Sequence, residues 1–271
     1  MKFAQSSAVY FNYSLQHAVR RLAKIGYTGI EIWGGRPHMY RHDLDSQLAD
    51  IRETLDDNQI SVCNVIPAQF RYPSLLCSDN EEVRRDSIRY IADAMRNARL
   101  LGSPSVSLCP GMLPWDRDIK VGRAQLLKSL RELDELNRAY GLMLLVEPAH
   151  RFESNLICTI EECVEVLDQV QSENFGILLD VGHAHVNGED MAHAIGLASR
   201  YPLHLHLDDN DGSGDSHLIP GKGTIDFPAV AASLRERNYS GFVSVELGHQ
   251  YAMDPDAACS ETLEALHRWF V

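Results

Sequence analysis

The 271-residue sequence has no apolar run long enough to cross a bilayer, and its first seven residues contain no extended apolar segment. Because a transmembrane helix needs about 20 mostly apolar residues, we expect neither a membrane span nor a secretory leader. Basic residues are also few, with 25 Lys and Arg against 38 Asp and Glu and a formal net charge of −13. This balance disfavours nucleic acid as a partner, since phosphate recognition depends on clustered Lys and Arg.

Several catalytic and redox signatures are missing as well. The sequence has no G-x-S-x-G nucleophile elbow, which argues against a Ser/His/Asp hydrolase. Its only early glycine pair, Gly34-Gly35, is too short for a dinucleotide-binding fingerprint. The six cysteines include no C-x-x-C pair. We therefore expect reduced thiols and a cytoplasmic location.

Short apolar runs and amphipathic stretches alternate eight times along the chain. The predicted strands cover 2–9, 29–33, 60–66, 105–109, 142–146, 175–180, 203–207 and 242–247. The predicted helices cover 14–25, 46–58, 80–101, 121–140, 159–170, 190–200, 227–237 and 256–269. With no linker or composition break, this pattern predicts one (β/α)8 barrel domain over 1–271, since such barrels typically take about 250 residues. A doubly wound open sheet is the alternative, but it would need the missing phosphate-binding turn.

The last four predicted strands each end on a residue type that binds metals, namely Glu147, Asp180, His206 and Glu246. In a parallel barrel the carboxyl ends of the strands converge on one face. Taken singly, a strand-end carboxylate is more often a helix cap or a surface ion pair. Together, four such groups at one barrel mouth would repel one another without a cation. Three carboxylates and one imidazole suit Mn²⁺, Mg²⁺ or Co²⁺, with Zn²⁺ as a further candidate.

Other polar and aromatic residues accompany these strand ends. Glu153 lies six residues after Glu147, and His183 lies three after Asp180. His204 shares a strand face with His206, and we expect it in the barrel interior or behind the metal ligands rather than as a ligand itself. Aromatic side chains in or beside the loops after the strands could cover the C–H face of a sugar or simply pack; these are Trp33, Phe70, Trp115 and Phe152.

The residues at these strand ends resemble those of the xylose isomerase-like barrel superfamily of sugar isomerases and epimerases, and the resemblance extends over the whole chain. The matching motifs occur in the family's order, as Glu147-Pro148, Asp180-Val181-Gly182-His183, His204-Leu205-His206, Pro220-Gly221-Lys222-Gly223 and Val245-Glu246. The segment 147–153 is similar to that of D-tagatose/D-psicose 3-epimerases. The segments 29–38 and 211–221 are more similar to those of fructoselysine 3-epimerases.

The resemblance implies that Glu147, Asp180, His206 and Glu246 hold one divalent ion per chain, with Mn²⁺ expected ahead of Mg²⁺, Co²⁺ and Zn²⁺. It further implies that Glu147 and Glu246 form an acid/base pair on opposite faces of a ketose or ketose conjugate. One would remove the C3 proton and the other return it, through a metal-stabilised enediolate. The implied partner is a small-molecule sugar, and the implied assembly is a homodimer or homotetramer.

The resemblance also implies the substrate contacts. Glu153 and His183 would bind the hydroxyl and carbonyl oxygens. The ketose 3-epimerases place a substrate-binding Arg after the His of strand seven. In this chain the corresponding position is Gly212 when counted forward from His206, or His217 when counted back from Pro220, so the Arg is missing. The expected substrate contacts are therefore Glu153, His183, His217, Trp33 and Trp115.

Other activities remain open at this point. An aldose–ketose isomerase of the same fold would move a proton between C1 and C2. An abasic-site endonuclease of the same superfamily would use His183 and the segment Asp215-Ser216-His217 for additional zinc ions. That nuclease would also need a His where this chain has Cys109, and the net charge of −13 disfavours DNA. A non-catalytic binding protein would be expected to lack Glu147 or Glu246, and both are present.

Overall fold

The barrel is closed and all-parallel. We describe it from a computed structural model of residues 1–69 and 74–271. Phe70 lies outside these residues. In the described part of the chain the strands pair in chain order, and β1 pairs with β8 to close the sheet. The strands are β1 Lys2–Ser6, β2 Gly29–Trp33, β3 Ser61–Ile66, β4 Ser105–Leu108, β5 Met143–Val146, β6 Phe175–Asp180, β7 Leu203–Leu207 and β8 Phe242–Val245. The predicted (β/α)8 barrel is therefore confirmed.

Helices follow the strands and pack around the barrel. They are α1 Leu15–Ile25, α2 Leu48–Asp57, α3 Glu81–Leu101, α4 Ile119–Asn137, α5 Ile160–Val170, α6 Val181–Asn187, α7 Met191–Ala198, α8 Phe227–Glu236 and α9 Pro255–Phe270. The Ser14 side chain accepts the His17 amide and starts α1, and Gly26 ends that helix at φ 118°. This positive φ favours glycine because it lacks a Cβ atom. Among the described residues no helix is both long and apolar enough to span a membrane.

Two local predictions were wrong. The first strand ends at Ser6 rather than at residue 9, because the chain turns into a 3-10 helix over Ser7–Tyr10. Val9 and Tyr10 are fully buried there, so their apolar character reflects burial and not strand structure. The sequence patterns also gave no sign of α6, which starts directly after Asp180. The Asp180 side chain accepts the His183 amide at 2.9 Å and so caps this helix.

A polar contact crosses the barrel interior. Glu31 on β2 hydrogen-bonds to His204 and His206 on β7. These strands are not neighbours, since β1 and β8 lie between them in the sheet. The contact therefore spans the inside of the barrel, just below the carboxyl ends of the strands.

Candidate metal and substrate site

The four strand-end residues meet at the mouth of the barrel. Glu147, Asp180, His206 and Glu246 each offer one ligand atom, and these atoms lie within 4.8 Å of one another. The His206 Nδ1 atom is 3.2 Å from Glu246 Oε2, 3.5 Å from Glu147 Oε1 and 3.6 Å from Asp180 Oδ2. We call these four residues the strand cluster. β6 and β7 place Asp180 directly beside His206 in the sheet register.

The strand cluster fits a divalent cation. His206 Nδ1 and Asp180 Oδ2 are buried and have no hydrogen-bond partner within the described residues. Leaving such a polar atom buried and unpaired costs about 1–3 kcal/mol, so buried groups of this kind usually have a partner. A cation would contact both atoms and would offset the charge of the three carboxylates. The donor set of three carboxylates and one imidazole suits Mn²⁺, Mg²⁺, Co²⁺ or Zn²⁺.

The sequence-based reasoning missed Glu31, which lies behind the strand cluster. Its Oε1 is 2.5 Å from His206 Nε2 and its Oε2 is 2.6 Å from His204 Nε2. Burial would raise the pKa of Glu31, but His206 and His204 lower it to about 2. Since an ionised carboxylate can only accept, both imidazoles donate their Nε2–H groups to it. The signal in the sequence was a single acidic residue inside the apolar strand Gly29–Trp33.

A second group of titratable residues lies beside the first and comes mainly from loops. Asp215 Oδ2 is 2.7 Å from His217 Nε2, 3.5 Å from His183 Nε2 and 3.6 Å from His150 Nε2. On its other side the His217 ring pairs with Asp208, with Nδ1 2.5 Å from Oδ2. We call these five residues the loop cluster. Sequence reasoning singled out His183 and His217 as substrate contacts, but it did not anticipate Asp208 or His150.

Carboxylates favour the positively charged form of two imidazoles of the loop cluster, those of His183 and His217. Burial alone would lower the pKa of His217, but Asp208 and Asp215 on either side raise it well above its usual value. Burial likewise opposes the raised pKa of His183, which faces Asp180 and Asp215. These rings are therefore hydrogen-bond donors held at the edge of the strand cluster.

An open cavity of about 80 Å³ lies above the strand cluster. Glu147 and Glu246 line it, whereas the side chains of Asp180 and His206 are fully buried beneath. Burial raises the pKa of Glu147, although His206 opposes this effect. The described lining residues are Trp33, Ile66, Pro67, Ala68, Gln69, Cys109, Glu147, Glu153, His183, His217 and Glu246.

Most of the expected substrate contacts line this cavity, but Trp115 does not. Glu153, His183, His217 and Trp33 are among the lining residues. Trp115 is 80% exposed in the loop before α4. Phe152 is also exposed, in the loop before α5.

Comparison with known proteins identifies the family. The model of the xylose isomerase-like TIM barrel family matches residues 19–269, and the chain belongs to this family. It is similar to fructoselysine 3-epimerase of Escherichia coli O157:H7, with 29% identity over 251 residues that cover 92% of this chain and 91% of the relative. The predicted enzyme class, a carbohydrate epimerase, is confirmed at this level.

Solved structures share the same fold. A D-tagatose 3-epimerase-like protein superposes with a TM-score of 0.83 at 28% identity, over 99% of both chains. The IolI protein, solved with a bound zinc atom, gives a TM-score of 0.84 at 22% identity over 100% of this chain and 98% of that one. The second likeness concerns the fold alone.

Proposed function

We propose that this protein is a divalent-metal-dependent epimerase that inverts C3 of a ketose or of a ketose conjugate such as a fructosamine. The observation that carries the proposal is the pairing of Glu147 and Glu246. Both carboxylates line one cavity, and the buried unpaired atoms of Asp180 and His206 lie directly beneath them. The named relatives, which include a fructoselysine 3-epimerase, support the substrate class.

The strand cluster would hold the metal, with Mn²⁺ as the expected ion. A divalent cation bound there supplies Lewis-acid stabilisation of negative charge on substrate oxygens. Asp180 and His206 are buried and would serve only as ligands. Glu147 and Glu246 also face the cavity, so each can exchange a proton with a bound sugar.

Two cavity-facing carboxylates can account for inversion. A base on one side of C3 removes its proton, and an acid on the other side returns one, so the configuration at C3 changes. Burial raises the pKa of Glu147 in the metal-free protein, whereas a bound cation would lower it and favour the ionised carboxylate that acts as a base. Cys109 Sγ lies 3.8 Å from Glu147 Oε2 and contributes to the enclosed surroundings of that carboxyl.

The remaining cavity residues would bind and orient the sugar. Glu153 would accept from a hydroxyl group, and His183, whose Nε2 is 3.5 Å from the nearest Asp215 oxygen, would donate to a substrate oxygen. Both N–H groups of the His217 ring face carboxylates, so His217 would offer the sugar its positive charge rather than a free donor. His217 would take the place of the missing arginine, because Asp208 and Asp215 hold it charged at the cavity edge. Trp33 offers a flat apolar wall for the C–H face of the ring or chain.

Hydrogen exchange in D₂O tests the proposal. Ketoses and fructosamines would be incubated with the Mn²⁺-loaded enzyme and followed by NMR. We expect deuterium at C3 together with the C3 epimer, and we expect EDTA to stop both until Mn²⁺ or Co²⁺ is restored. Deuterium at C1 would instead indicate an aldose–ketose isomerase. Full exchange in excess chelator would overturn the metal-dependent mechanism.

Metal stoichiometry separates this proposal from the abasic-site endonuclease. The nuclease alternative gains some support from the approach of His183 and His217 to Asp215. It is weakened by Cys109, a thiol at a position where that activity requires an imidazole. Elemental analysis should give about one ion per chain for the epimerase and three zinc ions for the nuclease.

We also expect a homodimer or homotetramer, measurable by sedimentation, and a cytoplasmic location.

A further inference from the structure

One carboxylate, Glu31, binds both histidines of β7. Its two oxygens are divided between His204 and His206, at 2.6 and 2.5 Å. The Glu31 side chain is fully buried, and those of His204 and His206 are 8% and 0% exposed. Because the two rings occupy different oxygens, the carboxylate cannot rotate without breaking one bond. His204 therefore restrains the oxygen that His206 uses.

A buried carboxylate without a partner would be strongly unfavourable. Removing an ionised group from water costs several kcal/mol unless other charges and hydrogen bonds compensate it. Within the described part of the chain, Glu31 has no ion pair with Lys or Arg, and its compensation comes from the two imidazoles. This chain thus retains a costly charge behind one member of the strand cluster. Packing alone gives no reason for it, since an apolar side chain of similar volume could fill the same space without the cost of burying a charge.

We propose that Glu31 is a positioning residue for the metal centre, acting through His206 and held in turn by His204. This inference rests on the strand cluster being a metal site. Because Nε2 of His206 is hydrogen-bonded to Glu31, its Nδ1 is the ring atom directed at Glu147, Asp180 and Glu246 and available to a metal ion. A carboxylate behind a ligating imidazole also raises its basicity, and loss of such a partner typically costs about 10- to 100-fold in metal affinity.

Three variants test the assignment. Glu31→Ala removes both hydrogen bonds, and we expect the dissociation constant for Mn²⁺ or Zn²⁺ to rise roughly 10- to 100-fold. Glu31→Gln keeps an oxygen that can accept from His206 but lacks the charge, so its loss of affinity should be smaller. His204→Phe removes the restraint on the carboxylate and should give a smaller loss than Glu31→Ala. Titration calorimetry of the metal-free proteins measures all three.

Cys63 provides a matched control. It is buried on β3 within 4.8 Å of Glu31 and His204, but its thiol donates to the Ile30 carbonyl rather than to either histidine. Cys63→Ala therefore disturbs the packing of the same region and should change the metal dissociation constant less than twofold. A second readout is the proton NMR spectrum of the metal-free protein. The hydrogen-bonded Nε2–H protons of His204 and His206 should be visible downfield in the wild type and lost in Glu31→Ala.

The outcomes separate this inference from the proposed metal site. If the wild type binds no divalent ion, the metal site and the inference both fail. If the wild type binds one ion and folded Glu31→Gln and Glu31→Ala bind it equally well, only the positioning role fails. An equal loss of affinity in Cys63→Ala would assign the effect to packing and would also overturn it. Should Glu31→Ala not fold, the comparison of Glu31→Gln and His204→Phe with Cys63→Ala decides the question.

Discussion

The strand cluster and the loop cluster are neighbours, but the chain holds them in different ways. Each member of the strand cluster lies at the carboxyl end of a barrel strand, and the pairing of β6 with β7 places Asp180 beside His206. In the loop cluster, Asp215 and His217 come from the segment between β7 and α8, and His150 from the one between β5 and α5. Barrel geometry brings the residues of the first cluster together. The second depends on how the loops themselves are held.

Asp209 organises the loop that carries Asp215 and His217. Its backbone pairs with Leu218 in both directions, at 2.8 and 2.9 Å. Its buried carboxylate accepts from four backbone amides, those of Asn210, Gly221, Gly223 and Ile225, at 2.7–3.2 Å. A Cβ on Gly223 would lie 2.3 Å from the Asn210 carbonyl oxygen. The motif 220–223 therefore binds the Asp209 carboxylate through its backbone amides. It contributes to the site by holding the loop that carries Asp215 and His217.

The largest effect should come from the strand cluster. In Glu246→Gln the side chain keeps its size and one oxygen ligand but cannot exchange a proton. We expect kcat to fall by about 10²- to 10⁴-fold, with the fold and most metal binding retained. Steady-state kinetics and calorimetry on the Mn²⁺-loaded protein measure the two quantities. The control is Glu264→Gln, an exposed residue on α9, and a rate for Glu246→Gln close to that of this control would remove Glu246 as a base.

The same contrast explains how much of the site could be read from the sequence. The four strand-end residues were visible because each follows an apolar run, and a closed barrel brings such ends together. Glu31 was missed because its partners lie 173 and 175 residues away along the chain, and only the sheet order brings β2 opposite β7. Asp208 and His150 were missed for a related reason. Their partners come from loops, whose course depends on local hydrogen bonds such as those of Asp209 rather than on a repeating pattern.

Removing the Asp209 carboxylate should disturb the loop cluster and leave metal binding by the strand cluster intact. In Asp209→Ala four backbone amides lose a charged acceptor, and a hydrogen bond to a charged group is worth about 1.5–3 kcal/mol. We expect the free energy of unfolding to fall by about 3 kcal/mol or more and KM to rise, while one metal ion still binds. Urea denaturation and calorimetry test this. Asp211→Ala, in the same loop but exposed, removes only two hydrogen bonds from Ser213 and should lower the free energy of unfolding much less than Asp209→Ala does. Loss of metal from Asp209→Ala would show that the clusters are not independent.

A smaller effect is expected within the loop cluster itself. Asp215→Asn keeps the shape of the side chain but removes the charge that faces three histidines. We expect kcat/KM to fall about tenfold, which corresponds to about 1.4 kcal/mol of transition-state stabilisation, because His217 is less firmly held and less positively charged. Metal affinity should change little. A fall in metal content equal to that in activity would instead make Asp215 part of the metal site.

The smallest expected effect is a difference in KM between variants of the two tryptophans that were predicted to contact the substrate. Trp33 lines the cavity, and its ring lies edge-on to the buried His38 ring with centroids 6.1 Å apart. Trp33→Ala should raise KM about tenfold, the equivalent of about 1.4 kcal/mol of lost contact. Trp115 is 80% exposed and outside the cavity, so Trp115→Ala should change KM less than twofold and the free energy of unfolding by no more than about 0.5 kcal/mol. Equal increases in KM for the two variants would mean that the loop bearing Trp115 closes over the sugar when it binds.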